Sequence, residues 1–211
     1  AGVHIGNRID AGLEIFSPDR DLTLGGTTFD GNETDMFFIP EFGWNKMIGE
    51  DQAFTITVSA AGGQNTDYAF HPLLGGPSEV NLEQLFIQPT YSIRSGKHTF
   101  GASLNLVYQS FEAKGLSRLA ANSFDPAHFS DNGTSTATGA GLSLGWIGEL
   151  SDKVSLGAMY QSETSMGEFD EYVGLFPGGS VDIPEKYGVG LAIAASDKVD
   201  LLLDVTQVNY S

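Results

Sequence analysis

The chain has 211 residues, with 27 acidic and 10 basic side chains, and a formal net charge of −17 at pH 7. Such an acidic chain argues against nucleic acid or anionic lipid as the main partner, because phosphate groups require a cationic surface. The sequence has no cysteine, which excludes disulfides and thiolate metal sites. It also has no run of about 18 apolar residues that would form a transmembrane helix.

Nine segments of the chain alternate between apolar and polar residues. Successive side chains of a β-strand point to opposite faces, so this alternation predicts strands with one apolar and one polar face. The predicted strands are residues 9–15, 36–48, 54–60, 85–93, 98–112, 140–150, 154–160, 187–193 and 199–205.

The fifth of these strands, residues 98–112, has the longest regular pattern. Leu104 and Leu106 belong to its apolar parity, and Ser103 and Asn105 belong to its polar parity. Only Val107 breaks the alternation. The segment has the length of a tilted membrane-spanning strand, about 9–11 residues. We therefore expect Leu104 and Leu106 to face lipid, and Ser103 and Asn105 to face the interior.

The connections between the predicted strands alternate in length. They are short after strands two, four, six and eight, and long after strands one, three, five and seven, with the connection after strand three covering about residues 65–80. Short periplasmic turns and long extracellular loops are typical of outer-membrane barrels. The pattern predicts an all-β, antiparallel transmembrane β-barrel of the outer-membrane type.

A soluble antiparallel sandwich or β-solenoid is the alternative, since its strands also alternate. Two features favour the barrel. The polar parity carries mostly Gly, Ser, Thr, Asn and Gln, whereas a solvated sheet face usually carries Lys and Glu. Aromatic residues such as Trp146 and Tyr160 also fall near strand ends, where a barrel meets the headgroups. In a barrel, four polar residues would face the lumen: Glu14, Glu41, Gln88 and Arg94.

The last part of the chain carries a family resemblance. Residues 183–192 (IPEKYGVGLA) lead into residues 196–201 (SDKVDL) and then into residues 203–211 (LDVTQVNYS). These segments resemble the FadL family of outer-membrane transporters, which take up long-chain fatty acids and aromatic hydrocarbons. Residues 85–91 and 156–162 look similar to two earlier strands of that family. The resemblance implies a bacterial outer-membrane protein.

The resemblance also implies a barrel plugged by an N-terminal hatch, with more strands than the nine counted here. No hatch precedes strand one, and no signal peptide is recognisable in residues 1–10. Nine antiparallel strands leave the first and last running in the same direction, so the two cannot close a barrel. We expect one partial β-barrel domain over residues 1–211, lacking hatch and C-terminal strands, that forms an open curved sheet.

Motifs for covalent chemistry are absent from the sequence. No carboxylate pair accompanies a candidate nucleophile, and no G-x-S-x-G elbow occurs. The four histidines lack metal-ligand spacing, and we expect neither a bound metal nor a cofactor. Asp30, Asn32, Glu33 and Asp35 would suit a surface calcium ion, although a solvated acidic loop is the simpler interpretation.

Two long connections are unusually apolar, and exposed apolar loop residues commonly bind a ligand or pack together. In the resembled family, two extracellular loops form a groove that first captures the substrate. We expect a monomeric outer-membrane channel, not an enzyme, that takes up hydrophobic small molecules such as long-chain fatty acids or hydrocarbons. A non-transporting adhesin or receptor is the alternative, and an outer-membrane enzyme is a more distant one. The candidate substrate-binding residues are Phe70, Leu73, Leu74, Leu116, Leu119, Phe124 and Phe129.

Overall fold

The computed structural model describes residues 4, 6–176 and 178–210. Three short 3₁₀ helices in this part, Ser117–Asn122, Pro126–His128 and Asp170–Tyr172, lie in connections. No helix among the described residues is long and apolar enough to cross a membrane. The strands are β1 (Arg8–Phe16), β2 (Asp21–Leu24), β3 (Thr27–Asp30), β4 (Phe37–Met47), β5 (Gln52–His71), β6 (Gly76–Ser95), β7 (His98–Lys114), β8 (Ser135–Ser151), β9 (Val154–Gln161), β10 (Ser165–Met166), β11 (Glu185–Ser196) and β12 (Val199–Asn209).

All nine predicted strands are present in one antiparallel sheet, in the order β1-β4-β5-β6-β7-β8-β9-β11-β12. The short strand β10 pairs with β8 beside this path, and β2 and β3 form a separate hairpin within the first long connection. Both were missed, since two to four residues are too few to show an alternation. Within the described residues β1 pairs only with β4, and β12 only with β11. The predicted open sheet is therefore confirmed.

The register aligns apolar residues across neighbouring strands. Leu106 lies opposite Ile87 of β6 on one side and Ala140 of β8 on the other. Leu104 and Leu106 are each 41% exposed, whereas Asn105 between them is fully buried. The two predicted sides of strand five are thus confirmed, with an apolar outer face and an inner face that carries the polar residues, and contact of the outer face with lipid stays a prediction.

Hydrogen bonds connect the polar side chains of the inner face. Gln88 donates through Nε2 to Asn105 Oδ1 at 2.9 Å, and Asn105 donates through Nδ2 to Ser143 Oγ at 2.8 Å. The hydroxyls of Thr90 and Ser103 are 2.7 Å apart. Of the four residues expected to face the lumen, the other three are also on the inner face according to the strand register: Glu14, Glu41 and Arg94.

The amphipathic pattern reverses in the last part of β7. Val107, Phe111 and Ala113 have the inner parity and are almost completely buried. On the outer side of the same stretch, Lys114 Nζ lies 2.9 Å from Glu79 Oε2 and 3.1 Å from Glu112 Oε2. An outer face with charged pairs suits water and not hydrocarbon. The loop-side ends of the strands therefore resemble a water-soluble sheet with an apolar core on its inner face.

One predicted connection was wrong. Residues 65–80 were expected to form a long loop, but β5 and β6 continue as a hairpin that is closed by a turn at residues 72–75. Asn65, Thr66 and Asp67 lack the apolar alternation that marks a membrane strand, yet their backbones pair with β6. Backbone pairing in water needs no apolar face, which is why the strand was not recognised. The expected long connection after strand three is consequently a short turn.

Candidate functional site

Strands β4 and β5 separate partway along their length. They pair from Met47 and Ala53 up to Phe42 and Val58, and no further. Beyond this point β4 continues to pair with β1, and β5 continues to pair with β6. A bulge interrupts the β5 register between Ala60 and Gly62, and bulges bend a strand and end its pairing with a neighbour. The sheet therefore has a gap in its wall above Phe42 and Val58.

The gap is closed again on its loop side by a second set of contacts. Asn32 forms a parallel bridge with Asp67 of β5, and Thr34 Oγ1 donates to Asp67 Oδ2 at 2.7 Å. Arg20 donates to Asn32 Oδ1 at 3.0 Å, to Asn65 Oδ1 at 2.8 Å and to the carbonyls of Thr34 and Asn65. We call the opening the window, and we call the contacts of Arg20, Asn32, Thr34, Asn65 and Asp67 that close it on the loop side its frame.

Arg20 is well suited to hold the frame because its guanidinium is a rigid fork with five donors. Its Cζ also lies 5.6 Å from the centre of the Phe37 ring, within the range of a cation–π contact. Since Asn32 accepts from Arg20 and donates to Asp19 at 3.0 Å, its amide serves the frame and is not available as a calcium ligand. No group of three or more His, Cys, Asp or Glu residues in the described chain is arranged to hold a metal ion.

A cavity of about 720 Å³ occupies the window. Its lining includes three residues on the outer face of the sheet, Phe38, Pro40 and Tyr108. It also includes two residues on the inner face, Glu14 and Gln84. The cavity is therefore lined from both faces of the sheet, at the place where β4 and β5 do not pair. Its charged lining residues are Glu14, Glu41, Glu83 and Arg20.

A second cavity, of about 780 Å³, lies on the inner face of the sheet. Its walls combine the polar side chains of Gln88, Ser103 and Gln161 with apolar groups such as Phe86 and Ile183. The window cavity and this interior cavity have five lining residues in common: Gly62, Gly63, Gln64, Leu82 and Gln84. The two spaces are therefore neighbours, and the glycines of β5 lie between them.

The interior cavity is bounded on its loop side by an apolar cluster. Phe169 and Tyr172, from the connection between β10 and β11, are fully buried against Phe111 of β7. The Tyr172 hydroxyl accepts from the Ala113 amide at 3.1 Å and donates to the Gly133 carbonyl at 2.5 Å. Phe86 belongs to both the cluster and the cavity wall. These contacts hold Phe169 and Tyr172 over the loop-side end of the interior.

Comparisons with solved structures identify the fold. The deltaS2S3 mutant of TodX, a monoaromatic hydrocarbon channel, matches with a TM-score of 0.74 at 18% identity, covering 97% of this chain and 61% of that one. The Ralstonia pickettii toluene transporter TbuX matches with a TM-score of 0.73 at 19% identity, over 96% and 62%. A Pseudomonas aeruginosa FadL homologue matches with a TM-score of 0.58 at 15% identity, over 96% and 59%.

The chain has the fold of the FadL-family channels. It spans about three fifths of the length of these matched chains, which agrees with an open sheet that is part of a barrel. No family model matches the sequence, and no curated protein matches it. The likeness to FadL-family channels therefore lies in the structure, at identities that establish the fold alone.

The FadL-type fold brings the two loop regions with predicted binding residues side by side. Arg118 Nη1 lies 2.7 Å from the position that a side chain on Gly75 would occupy, so the 3₁₀ helix of one connection touches the turn of the other. Phe70, Leu73, Leu119 and Phe124 are exposed, Leu74 and Phe129 are half-buried, and Leu116 packs on the apolar cluster. None of these seven residues lines the window or the interior cavity.

Sequence reasoning missed the residues that form these cavities and the cluster. In the connection over residues 167–180, Phe169, Tyr172, Leu175 and Phe176 recur at intervals of three and four. That spacing suits a short helical turn with one buried side, and it was the available signal. The window left no comparable signal, because no local pattern shows where two strands stop pairing.

Proposed function

We propose that this chain forms the wall of an outer-membrane channel through which hydrophobic small molecules move between the interior and the bilayer. The observation that carries the proposal is the window, whose cavity is lined from both faces of the sheet and adjoins the interior cavity at Gly62, Gly63 and Gln64. An apolar solute that leaves through the wall avoids the water beyond the barrel end, and transfer from water to hydrocarbon is favourable.

Two further features support a lateral route. The cluster around Phe169 and Tyr172 obstructs the loop side of the interior, and Phe38, Pro40 and Leu85 place apolar groups at the window. Toluene and other monoaromatic hydrocarbons are named for the matched proteins. For this chain we propose hydrocarbons or long-chain fatty acids as the substrate class, and no covalent chemistry. An adhesin or receptor would have no use for an opening through its wall.

In this proposal the adjoining loops supply the first contact with the substrate. Phe70 lies at the end of β5 and Leu73 in the turn that follows it, and Leu119 and Phe124 lie in the connection after β7. All four side chains are exposed, and the two regions touch at Gly75 and Arg118. Burying one such side chain against a hydrocarbon contributes roughly 1.5–3 kcal/mol. Two or three contacts of this size give a complex weak enough to release its ligand.

The test is to fill the junction between the two cavities. A side chain on Gly62 would meet the flexible end of Gln84, and the backbone there is not in a left-handed conformation. We expect Gly62→Leu to reduce uptake of radiolabelled toluene and oleate by cells, with normal amounts of protein in the outer membrane. Gly157→Leu is the matched control, because Gly157 has the inner parity but lines neither cavity. Equal uptake by the two variants would remove the window from the route.

A further inference from the structure

Gln84 is placed between the window cavity and the interior cavity. Its side chain lines both spaces, and its Oε1 lies 2.6 Å from the position that a Cβ atom on Gly62 would occupy. Gly62 and Gln84 are directly opposite each other in the β5–β6 register. The amide of Gln84 therefore covers the glycine that separates the two spaces, and a solute that crosses there must displace it.

The Gln84 side chain is not anchored where it lies. It makes no hydrogen bond to another side chain or to the backbone in the described part of the chain, whereas Gln88, four residues further along β6, donates to Asn105. A passing hydrocarbon offers no hydrogen bond to an amide. Because the half-buried amide has no partner in its present position, a second position in which it gains a hydrogen bond would be favoured by that bond.

Gln109 of β7 offers such a partner. It lies directly opposite Gln84 in the β6–β7 register, with the same inner parity, and side chains in this arrangement have Cβ atoms about 4.5–5.5 Å apart. Gln109 is fully buried, and its Nε2 donates to the Val181 carbonyl at 3.0 Å. Its Oε1 has no hydrogen-bond partner among the described residues. A buried acceptor without a donor therefore lies within reach of the Gln84 amide.

We propose that Gln84 is a gate residue with two positions, and that Gln109 holds it in the open one. In the position seen here the Gln84 amide lies over Gly62 and narrows the junction between the cavities. In the other position it turns toward β7, donates through Nε2 to Gln109 Oε1 and leaves the junction free. The inference rests on the proposed function, since a gate matters only if solutes cross at Gly62.

A double-mutant cycle on the full-length protein tests the gate. Gln84→Ala removes the side chain over Gly62, and Gln109→Met removes the acceptor while keeping an unbranched side chain of similar length. Uptake of radiolabelled toluene is measured for the parent, both single variants and the double variant, normalised to outer-membrane protein and checked by thermal unfolding. We expect Gln84→Ala to raise the uptake rate and Gln109→Met to lower it, each by about two- to tenfold, the range that one hydrogen bond provides.

The double variant separates the gate from a purely structural role. Without Gln84 there is no amide to hold, so the double variant should transport at the rate of Gln84→Ala alone. If Gln109→Met lowers uptake equally in both backgrounds, Gln109 acts through its bond to Val181 and the gate is refuted. An unchanged or lower rate for Gln84→Ala also refutes it. Failure of Gly62→Leu to reduce uptake would instead refute the proposed route itself.

Discussion

Phe86 of β6 and Val107 of β7 lie directly opposite each other, and both side chains are buried on the inner face of the sheet. The next pair toward the short turn between β6 and β7, Ile87 and Leu106, is exposed on the outer face. The sheet is therefore apolar on both faces at this level. On the outer face Leu85 and Tyr108 extend the apolar surface by one more pair toward the loops, and the next outer residue of β6, Glu83, is charged. The apolar outer surface therefore ends just beyond Tyr108, at the level of the window cavity.

The two apolar faces of β7 should respond differently to loss of a phenylalanine. Phe111 is 3% exposed and packs between Phe169 and Tyr172, whereas Phe100 on the outer face is 48% exposed. Phe111→Ala should lower the free energy of unfolding by about 3–5 kcal/mol, because it leaves a cavity in a packed cluster. Phe100→Ala should cost clearly less, since lipid fills the space. Denaturant unfolding in lipid vesicles compares them, and equal losses would contradict the reversal.

The stability cost of introducing a charged side chain into the central part of β7 should depend on the face of the sheet on which the side chain lies. Leu104→Arg places a cation on the outer face and should cost roughly 2–4 kcal/mol if that face meets hydrocarbon. Ser103→Arg points into the interior cavity and should cost much less. Spin labels at the two positions provide the measurement, with label 104 accessible to oxygen and label 103 to a polar relaxation agent. Water at both positions would contradict the membrane assignment.

Loss of Arg20 should loosen the frame of the window. The guanidinium bonds Asn32, Asn65 and the Thr34 carbonyl, so Arg20→Ala should favour local opening by about 1–3 kcal/mol. Hydrogen exchange at the Glu33 and Asp67 amides, which bond across the frame, reports this opening. Arg20→Lys should restore little of the protection, because one ammonium cannot span these acceptors. Arg118→Ala, at an exposed arginine, is the control and should leave both amides protected.

Acid should loosen the loop that follows β7. Asp131 accepts from Ser130 Oγ at 2.7 Å, the Gly115 amide at 2.9 Å and Ser117 Oγ at 2.9 Å. The bond from Ser130, then that from Gly115, lowers the pKa of the Asp131 carboxyl below its ordinary 3.8. A lowered pKa in the folded state contributes stability above pH 3.8 that is lost as the pH falls through the folded value.

Hydrogen exchange at the Gly115 amide should therefore accelerate in that acidic range, after correction for the intrinsic exchange rate. Asp131→Asn should remove the pH dependence and should leave Gly115 less protected at neutral pH. Protection of Gly115 that is the same in parent and variant at every pH would show that Asp131 does not anchor this loop.

The proposed capture site depends on the exposed leucines of the adjoining loops. Leu73→Asp combined with Leu119→Asp should weaken binding of a long-chain fluorescent ligand by roughly a hundredfold or more, because two apolar contacts of about 1.5–3 kcal/mol each are lost. Both side chains are more than half exposed, so the unfolding temperature should not change. Ser117→Asp, a polar exposed position nearby, controls for the added charge. Equal binding by the double variant and the control would remove these loops from capture.

Local pattern alone was sufficient to locate the nine strands, their facing and the open sheet. These features depend on the twofold period of a strand and on the direction of each strand in an antiparallel order, both of which can be read from neighbouring residues. Residues with a strong alternation, such as Leu104, Asn105 and Leu106, were assigned correctly. The pattern failed where strands extend into water, as at Asn65–Asp67, because backbone pairing there leaves no apolar signature.

Tertiary structure decided the features that carry the proposed function. Val107 was visible as a break in the alternation, but its meaning depends on Phe169 and Tyr172, which fold back from about 60 residues later in the chain to cover it. The window exists because β4 and β5 stop pairing at Phe42 and Val58 while Arg20 and Asp67 join the chain again above. Gln84 meets Gly62 and faces Gln109 only through the pairing of three strands. Contacts between distant segments leave no repeating pattern in neighbouring residues. The local sequence therefore predicts the strands of the sheet, whereas the position of the window depends on the tertiary structure.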